Sequence, residues 1–237
     1  MSTFPLYIVC HAAFEPAAYL CTYLDKKNIS YKKISGIHDE LAALDLDTVS
    51  GLVFMGGRYS VNDDLPWLAD EIKLIQRAIE KDVPLMGICF GAQLISKALG
   101  AEVSKAEHME TGWHAIKADI SRLADIHTLD LDDTFEVFEW HEDTFSMPVD
   151  AIPIFSGHNL ENQGYLYGNT LTMQFHLEMT EYMVNDWLRR YCDCMPKASK
   201  SVQCPEEITG NLTERLNNLH AVADKIYDWW LNMAKLY

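Results

Sequence analysis

Pro84-Leu-Met-Gly-Ile-Cys-Phe-Gly-Ala-Gln93, continuing through Leu-Ile-Ser-Lys-Ala-Leu-Gly100, joins an apolar strand to a helix at a cysteine. Pro84 to Ile88 has the length and apolarity of a buried parallel strand. Ala92, Leu94, Ile95, Ala98 and Leu99 then recur at helical spacing, and Gly100 is a stop signal. Cys89 falls on the bend. Gly87 and Gly91, two residues to either side, remove side chains that would crowd so sharp a turn, as the glycines of a Gly-x-Ser-x-Gly elbow do for serine. At the amino end of a helix, the macrodipole and unpaired N–H groups favour thiolate over thiol. Read alone, the same cysteine also fits a small apolar residue that only packs.

A nucleophilic thiol needs a base, and Leu171-Thr-Met-Gln-Phe-His-Leu-Glu178 offers one in a second strand-like run. His176 would take the thiol proton and return it to a leaving amine, while Glu178 would hold the imidazole by its other nitrogen. If the chain stays extended, residues two apart point the same way, which suits a hydrogen-bonded line. A third segment, Gly51-Leu-Val-Phe-Met-Gly-Gly-Arg-Tyr-Ser-Val-Asn-Asp63, ends an apolar strand in two glycines. Such a turn presents backbone N–H groups to a developing oxyanion, with the Phe90 amide as second donor; an ordinary turn needing positive φ has the same composition.

Taken in order, Gly-Gly…Ser-Val-Asn-Asp, Gly-Ile-Cys-Phe-Gly-Ala-Gln and Gln-Phe-His-Leu-Glu resemble the signature of the class I glutamine amidotransferase family. Within it the chain is similar to stand-alone proteins resembling the amidotransferase domain of GMP synthase. Further matches are His11-Ala-Ala-Phe-Glu15, Glu110-Thr-Gly-Trp113, Trp140-His-Glu-Asp-Thr-Phe145 and Asn162-Gln163, so the resemblance covers most of residues 5–190. It implies Cys89 as nucleophile, His176 as base, Glu178 as its orienting carboxylate, Gly57 and Phe90 as oxyanion hole, and Gln93 as a contact to substrate glutamine. Gly56, Arg58 and His141 complete the candidate substrate-binding set; His141 also fits a residue that closes a strand beside water. Arg58 and Tyr59 stand where many relatives carry proline and a small or apolar residue, and Leu177 replaces the proline of the common His-Pro-Glu form. Leucine there also occurs in the stand-alone subgroup, whereas Arg58 leaves the identity of the substrate open.

Composition narrows the function further. The 237 residues suffice for one full α/β core, and a net charge of −16 opposes binding to nucleic acid or an anionic membrane. Six cysteines without framework spacing, and an amino terminus lacking a basic segment followed by a long apolar one, lead to the expectation of a cytoplasmic protein with free thiols. Cys192-Asp-Cys194 with Cys204 lacks the paired spacing of a zinc site. His108, His114 and His127 have no ligand spacing either, so neither metal nor cofactor is expected.

Strands at Leu6–Val9, Tyr31–Ile34 and Leu52–Met55 alternate with helices at 16–27 and 66–81, a βαβ pattern. The expected fold is a three-layer, flavodoxin-like sandwich with a mostly parallel central sheet and helices on both faces. Residues 1–195 would form the catalytic domain and 196–237 a helical extension packed on it, with a stripe of Leu212, Leu216, Leu219, Val222, Ile226 and Trp229. Residues 101–175 mix short strands with loops able to wall a pocket. Three functions fit: a glutaminase that passes ammonia to a separate synthetase, a stand-alone hydrolase of γ-glutamyl peptides, and a non-catalytic binding or regulatory module. The intact Cys, His and Glu set disfavours the third.

Overall fold

Alternate residues of the central strands enter two different cores, which makes the molecule three layers deep. The strands are β1 (Leu6–Cys10), β3 (Gly51–Phe54) and β4 (Leu85–Ile88). Leu6, Ile8, Val53, Met55, Met86 and Ile88 pack in one core, while Val9, Leu52, Phe54 and Leu85 pack in the other. A strand buried on both faces reads as a continuous apolar run, as these do. Helices α1 (Ala18–Lys26), α4 (Glu181–Tyr191) and α6 (Leu212–Met233) cover the first core. Helices α2 (Leu68–Glu80) and α3 (Phe90–Ala98) cover the second. The computed structural model describes residues 4–119, 129–191 and 195–236, so Cys192, Cys194 and His127 lie outside the described residues.

The remaining strands are β2 (Tyr31–Ser35), β5 (Val103–Ala118), β6 (Thr134–Phe145), β7 (Ile152–Gly157), β8 (Gly164–Tyr167) and β9 (Thr170–Met173), in the sheet order β2-β1-β3-β4-β9-β8-β7-β5-β6. From β2 to β9 every neighbour is parallel, as the βαβ pattern predicts. Beyond β9 the four pairings are antiparallel, and the β5–β6 ribbon is their longest member. "Mostly parallel" thus describes the half of the sheet that carries the βαβ units.

Helices end where the sequence supplies a residue that tolerates a left-handed turn. After α3, Gly100 has φ +85°, its N–H reaches Lys97 O, and Ala101 N reaches Ser96 O, a Schellman closure. Asp82 closes α2 in the same way at φ +56°, with Val83 N bonded to Ala78 O. Helix α2 buries Leu68, Glu71, Leu74, Ile75 and Ala78 at helical spacing, with Asp70 and Glu71 in its first turn.

The carboxyl-terminal segment differs from a single helix running on from about Glu206. Pro205–Thr209 forms a short helix α5, the chain breaks at Gly210, and Asn211 takes φ +53° before α6 begins. Val222 is only partly buried; Ala223, Tyr227, Trp230 and Leu231 join the stripe instead. Ahead of α5, residues 201–203 lie along β5: Thr111 N donates to Ser201 O, Gln203 N donates to Thr111 O, and the Gln203 side chain brackets the Trp113 backbone. Helix α6 meets α1 through Tyr19 Oη and Tyr23 Oη, which donate to Asp224 (2.8 Å) and Asp228 (2.6 Å). No described helix is long and apolar enough to cross a membrane.

Trp230 fixes this docking. Its ring is 1% exposed and Nε1 donates to Leu85 O at 3.0 Å, at the start of β4. Trp230→Ala should therefore lower unfolding free energy by about 3–5 kcal/mol in a urea titration, the usual cost of emptying a large aromatic site; a loss below ~1 kcal/mol would show that α6 contributes little to the core.

Candidate functional site

Four strands of one parallel sheet end on the same edge, and each hands its next residues to the site. The loop after β1 carries His11 and Glu15, that after β3 carries Gly56 and Gly57, β4 runs directly into Cys89, and the segment after β9 carries His176 and Glu178. Sites of open parallel sheets lie at such carboxyl ends.

Cys89 has φ +51° and ψ −109°, a backbone state that non-glycine residues rarely adopt. Packing forces it. A Cβ on Gly91 would stand 2.0 Å from Phe54 O, and one on Gly87 would stand 2.8 Å from Ala92 N, so α3 approaches the sheet at backbone contact. Cys89 N donates to Met173 O at 2.8 Å and Cys89 O accepts from Gln93 N at 3.0 Å, which pins the bend on both sides. The thiol is 6% exposed and lines a cavity of about 750 Å³.

His176 is not the last residue of a strand. Strand β9 ends at Met173, and the chain then crosses to β6, where His176 N donates to Phe138 O at 2.9 Å. The side chains nevertheless form the anticipated line: His176 Nδ1 meets Glu178 Oε1 at 2.7 Å, both groups 2% exposed. Trp187 stands edge-on to the ring at 5.1 Å. Nε2 is buried without a conventional hydrogen-bond partner. Burial by itself would depress the His176 pKa, but the Glu178 carboxylate and Cys89 outweigh it and hold it well above the usual imidazole value. Gly56 makes this closeness possible, since a Cβ there would lie 3.0 Å from His176 Cε1 and 3.8 Å from Cys89 Cβ.

Gly57 adjoins Phe90: its Cβ position is 3.2 Å from Phe90 Cδ1 and 3.0 Å from His11 Cβ. Phe90 opens α3, so its N–H is one of the unmatched amides of a helix start. The Gly-Gly turn is clamped from below by His11, whose Nδ1 donates to Met55 O (3.0 Å) and Gly56 O (3.2 Å) while Nε2 meets Glu71 of α2 at 2.8 Å. His11 thus fastens the turn.

Of the other candidates, Gln93 and Arg58 line the cavity, Arg58 exposed and 5.6 Å from the Tyr59 ring centre. Gln93 Nε2 donates into the wall, to Asp143 O (3.0 Å) and Gln174 Oε1 (3.3 Å). His141 also lines the cavity, but its ring is turned inward and is 1% exposed. Nδ1 donates to Asp143 O at 3.0 Å; Nε2 lies 3.2 Å from Glu110 Oε2 and 3.1 Å from Glu139 Oε2. Against burial, which lowers it, these carboxylates raise the His141 pKa to about 10. Burial pushes Glu110 up, yet His141, Asn159 and His114 bring its carboxyl below the usual range, whereas burial leaves Glu139 above it. The ligand-type atoms of Glu110, Glu139 and His141 lie within 4.8 Å of one another, a cluster in which the protonated ring itself supplies the positive charge between the carboxylates. Sequence spacing missed this group because the three residues meet only when β5 pairs with β6, Glu110 opposite His141.

A family model described as glutamine amidotransferase class-I matches residues 20–185. The chain belongs to that family. Among curated members, a glutamine amidotransferase-like protein of Acanthamoeba polyphaga mimivirus is 30% identical over 151 residues, 63% of this chain and 64% of that protein. A glutamine-hydrolysing GMP synthase subunit of Thermoplasma acidophilum is 30% identical over 62% of this chain and 72% of its own length. The match to the glutamine-hydrolysing GMP synthase of Acetivibrio thermocellus covers 28% of that enzyme, so the chain spans less than two thirds of some of these relatives. Among solved structures, a glutamine amidotransferase from Methylobacillus flagellatus superposes with a TM-score of 0.91 at 32% identity, covering 98% of this chain and 96% of that one. A glutamine amidotransferase from Thermotoga maritima superposes with a TM-score of 0.84 at 25% identity, covering 99% of this chain and all of that one.

The His141 cluster gives this family member a pH dependence of stability. A pKa raised from about 6.5 unfolded to about 10 folded stabilises fully below pH ~6.5 and is lost as pH rises toward 10. Wild type should lose stability relative to His141→Gln across that window in pH-stepped denaturant titrations, and a difference independent of pH would contradict the buried imidazolium.

Proposed function

We propose that the protein hydrolyses the γ-amide of glutamine to glutamate and ammonia through a thioester on Cys89. One observation carries this reading: a strained, pinned thiol faces the same cavity as a histidine whose Nδ1 is held by Glu178 and whose buried Nε2 has no other partner. The raised His176 pKa favours a protonated ring beside the sulfur.

In this mechanism the Cys89 thiolate attacks the amide carbon, and the Gly57 and Phe90 N–H groups receive the oxyanion. His176 gives its Nε2 proton to the leaving nitrogen as the C–N bond breaks, then takes a proton from water attacking the thioester. Glu178 keeps Nδ1 protonated and the ring in place. Gln93 and Arg58 fit recognition of the glutamyl moiety. Relatives named as a glutamine-hydrolysing subunit of GMP synthase support delivery of ammonia to a separate synthetase partner. A second reading, hydrolysis of γ-glutamyl amides with larger leaving groups, is favoured by the volume of the cavity, about 750 Å³, and by exposed Arg58.

Cys89→Ala should abolish glutamate release in a coupled assay, and His176→Ala should reduce kcat by about 10²–10⁴-fold, the usual worth of general acid–base catalysis. Residual turnover near wild type in the alanine variant would defeat the assignment. Glu178 is the largest influence raising His176, so Glu178→Gln should move the alkaline limb of kcat/KM to lower pH. An unmoved limb would remove Glu178 from the catalytic line.

A further inference from the structure

Glu15 is a buried charged group on the cavity wall that the mechanism leaves unused. It is 7% exposed and lies in the loop between β1 and α1, anchored by the Trp187 indole N–H to Phe14 O at 3.0 Å and by the Arg190 guanidinium 4.7 Å above the Phe14 ring. Among the described residues its carboxylate accepts one side-chain hydrogen bond, from Tyr191 Oη to Oε1 at 3.3 Å, and no lysine or arginine pairs with it. Burial accordingly drives its pKa up, against the pull of His176, Tyr191 and His11. Other cavity charges are better placed: Lys105 pairs with Glu142 at 3.1 Å, Asp143 accepts from Ser60 Oγ at 2.6 Å, and Asp63 accepts from Ser60 N at 2.9 Å.

The position of Glu15 gives it a side of the reaction. The Cβ point of Gly56 is 3.0 Å from His176 Cε1, 3.7 Å from Glu15 Oε2 and 3.8 Å from Cys89 Cβ, so all three groups surround one point, and His176 is the strongest charge acting on Glu15, which sets Glu15 toward the histidine end of the pair. Chemistry puts the leaving nitrogen at that end. When the tetrahedral adduct collapses, the C–N bond breaks with its electron pair on nitrogen, nitrogen takes the His176 proton, and the carbonyl re-forms as the Cys89 thioester. A buried carboxylate with one long neutral hydrogen bond is stabilised by a cation and repels an anion.

Resting on the hydrolase reading above, we propose that Glu15, with Tyr191, forms the leaving-amine subsite and selects γ-glutamyl amides of ammonia or of cationic amines over those of amino acids. An amino acid leaving group brings its own carboxylate toward Glu15; a diamine brings an ammonium group. Selection of this kind works by repulsion of the wrong substrate as well as attraction of the right one.

The test uses the full chain and four substrates: glutamine, and γ-glutamyl amides of 1,4-diaminobutane, butylamine and 4-aminobutanoate, which share one length and differ in charge. Wild type should order kcat/KM as cationic, neutral, anionic. Glu15→Gln should shrink the cationic-to-anionic ratio at least tenfold, and Glu15→Asp should restore part of it. A ratio unchanged in Glu15→Gln while wild type hydrolyses the panel overturns the subsite and leaves the hydrolase reading intact. Glutaramate, which lacks the α-amino group, separates the other source of positive charge: if the Glu15→Gln loss on glutamine vanishes with glutaramate, Glu15 reads the α-ammonium and the proposal fails. Wild type inactive on every substrate would instead defeat the hydrolase reading. The subsite then rests on calorimetry with Cys89→Ala, where 1,4-diaminobutane should bind and the added Glu15→Gln should weaken it at least tenfold; no binding, or unchanged binding, overturns it.

Discussion

Backbone-to-backbone contact between the end of β3 and the start of α3 is the constraint on which the site depends. Gly91 stands where any side chain would penetrate the Phe54 carbonyl, and Cys89, on the bend that brings α3 this close, takes a positive φ of +51°. Cys89 pays the conformational penalty of a positive φ, of order 1–3 kcal/mol, and keeps it because hydrogen bonds to Met173 and from Gln93 over-determine the bend. The result is a sulfur lifted off the sheet edge, at the head of a helix, in line with the segment that follows β9.

Three histidine–carboxylate contacts then organise the same edge; His11–Glu71 and His141–Glu110 join segments far apart in the chain, whereas His176 and Glu178 are two residues apart. His11 bonded to Glu71 locks the Gly-Gly turn onto α2. His141 between Glu110 and Glu139 stiffens the β5–β6 ribbon that forms the opposite wall. His11 is bonded through both ring nitrogens, whereas His141 is bonded through Nδ1 and holds Nε2 at ion-pair distance from two carboxylates without a well-formed hydrogen bond. His176 differs, because Glu178 meets only Nδ1 and no carboxylate pairs with Nε2 among the described residues. In the proposed mechanism, similar residue pairs thus serve as fasteners or as a proton carrier according to whether one nitrogen is left open.

The family match ends at residue 185, yet structural likeness to the Methylobacillus flagellatus protein extends over 98% of the chain and so includes α5 and α6. The packing explains why this tail accompanies the site. His220 of α6 meets Met179 O at 2.8 Å, one residue past Glu178, and stacks on Tyr19 with ring centres 3.6 Å apart; Tyr19 N in turn donates to Glu178 O at 3.1 Å. The backbone around Glu178 is therefore held by α1 and α6 together.

Local patterns carried the parallel half of the fold, because strands buried on both faces are short apolar runs and helix ends are marked by Gly100 or by a polar residue such as Asp82. They also carried the elbow, since a cysteine between two glycines at a strand-to-helix switch has few other physical uses. The early end of β9, the break at Gly210 and the pairing of residues 201–203 with β5 left no such mark, for each is decided by which distant backbone is available to bond. Sequence by itself determined which residue types could ionise, attack or bend at this edge. Only the tertiary structure decided which carboxylates His11 and His141 meet and that Glu15 faces the cavity with, among the described residues, no lysine or arginine paired to it, because charge compensation in a buried site is a property of neighbours in space rather than along the chain.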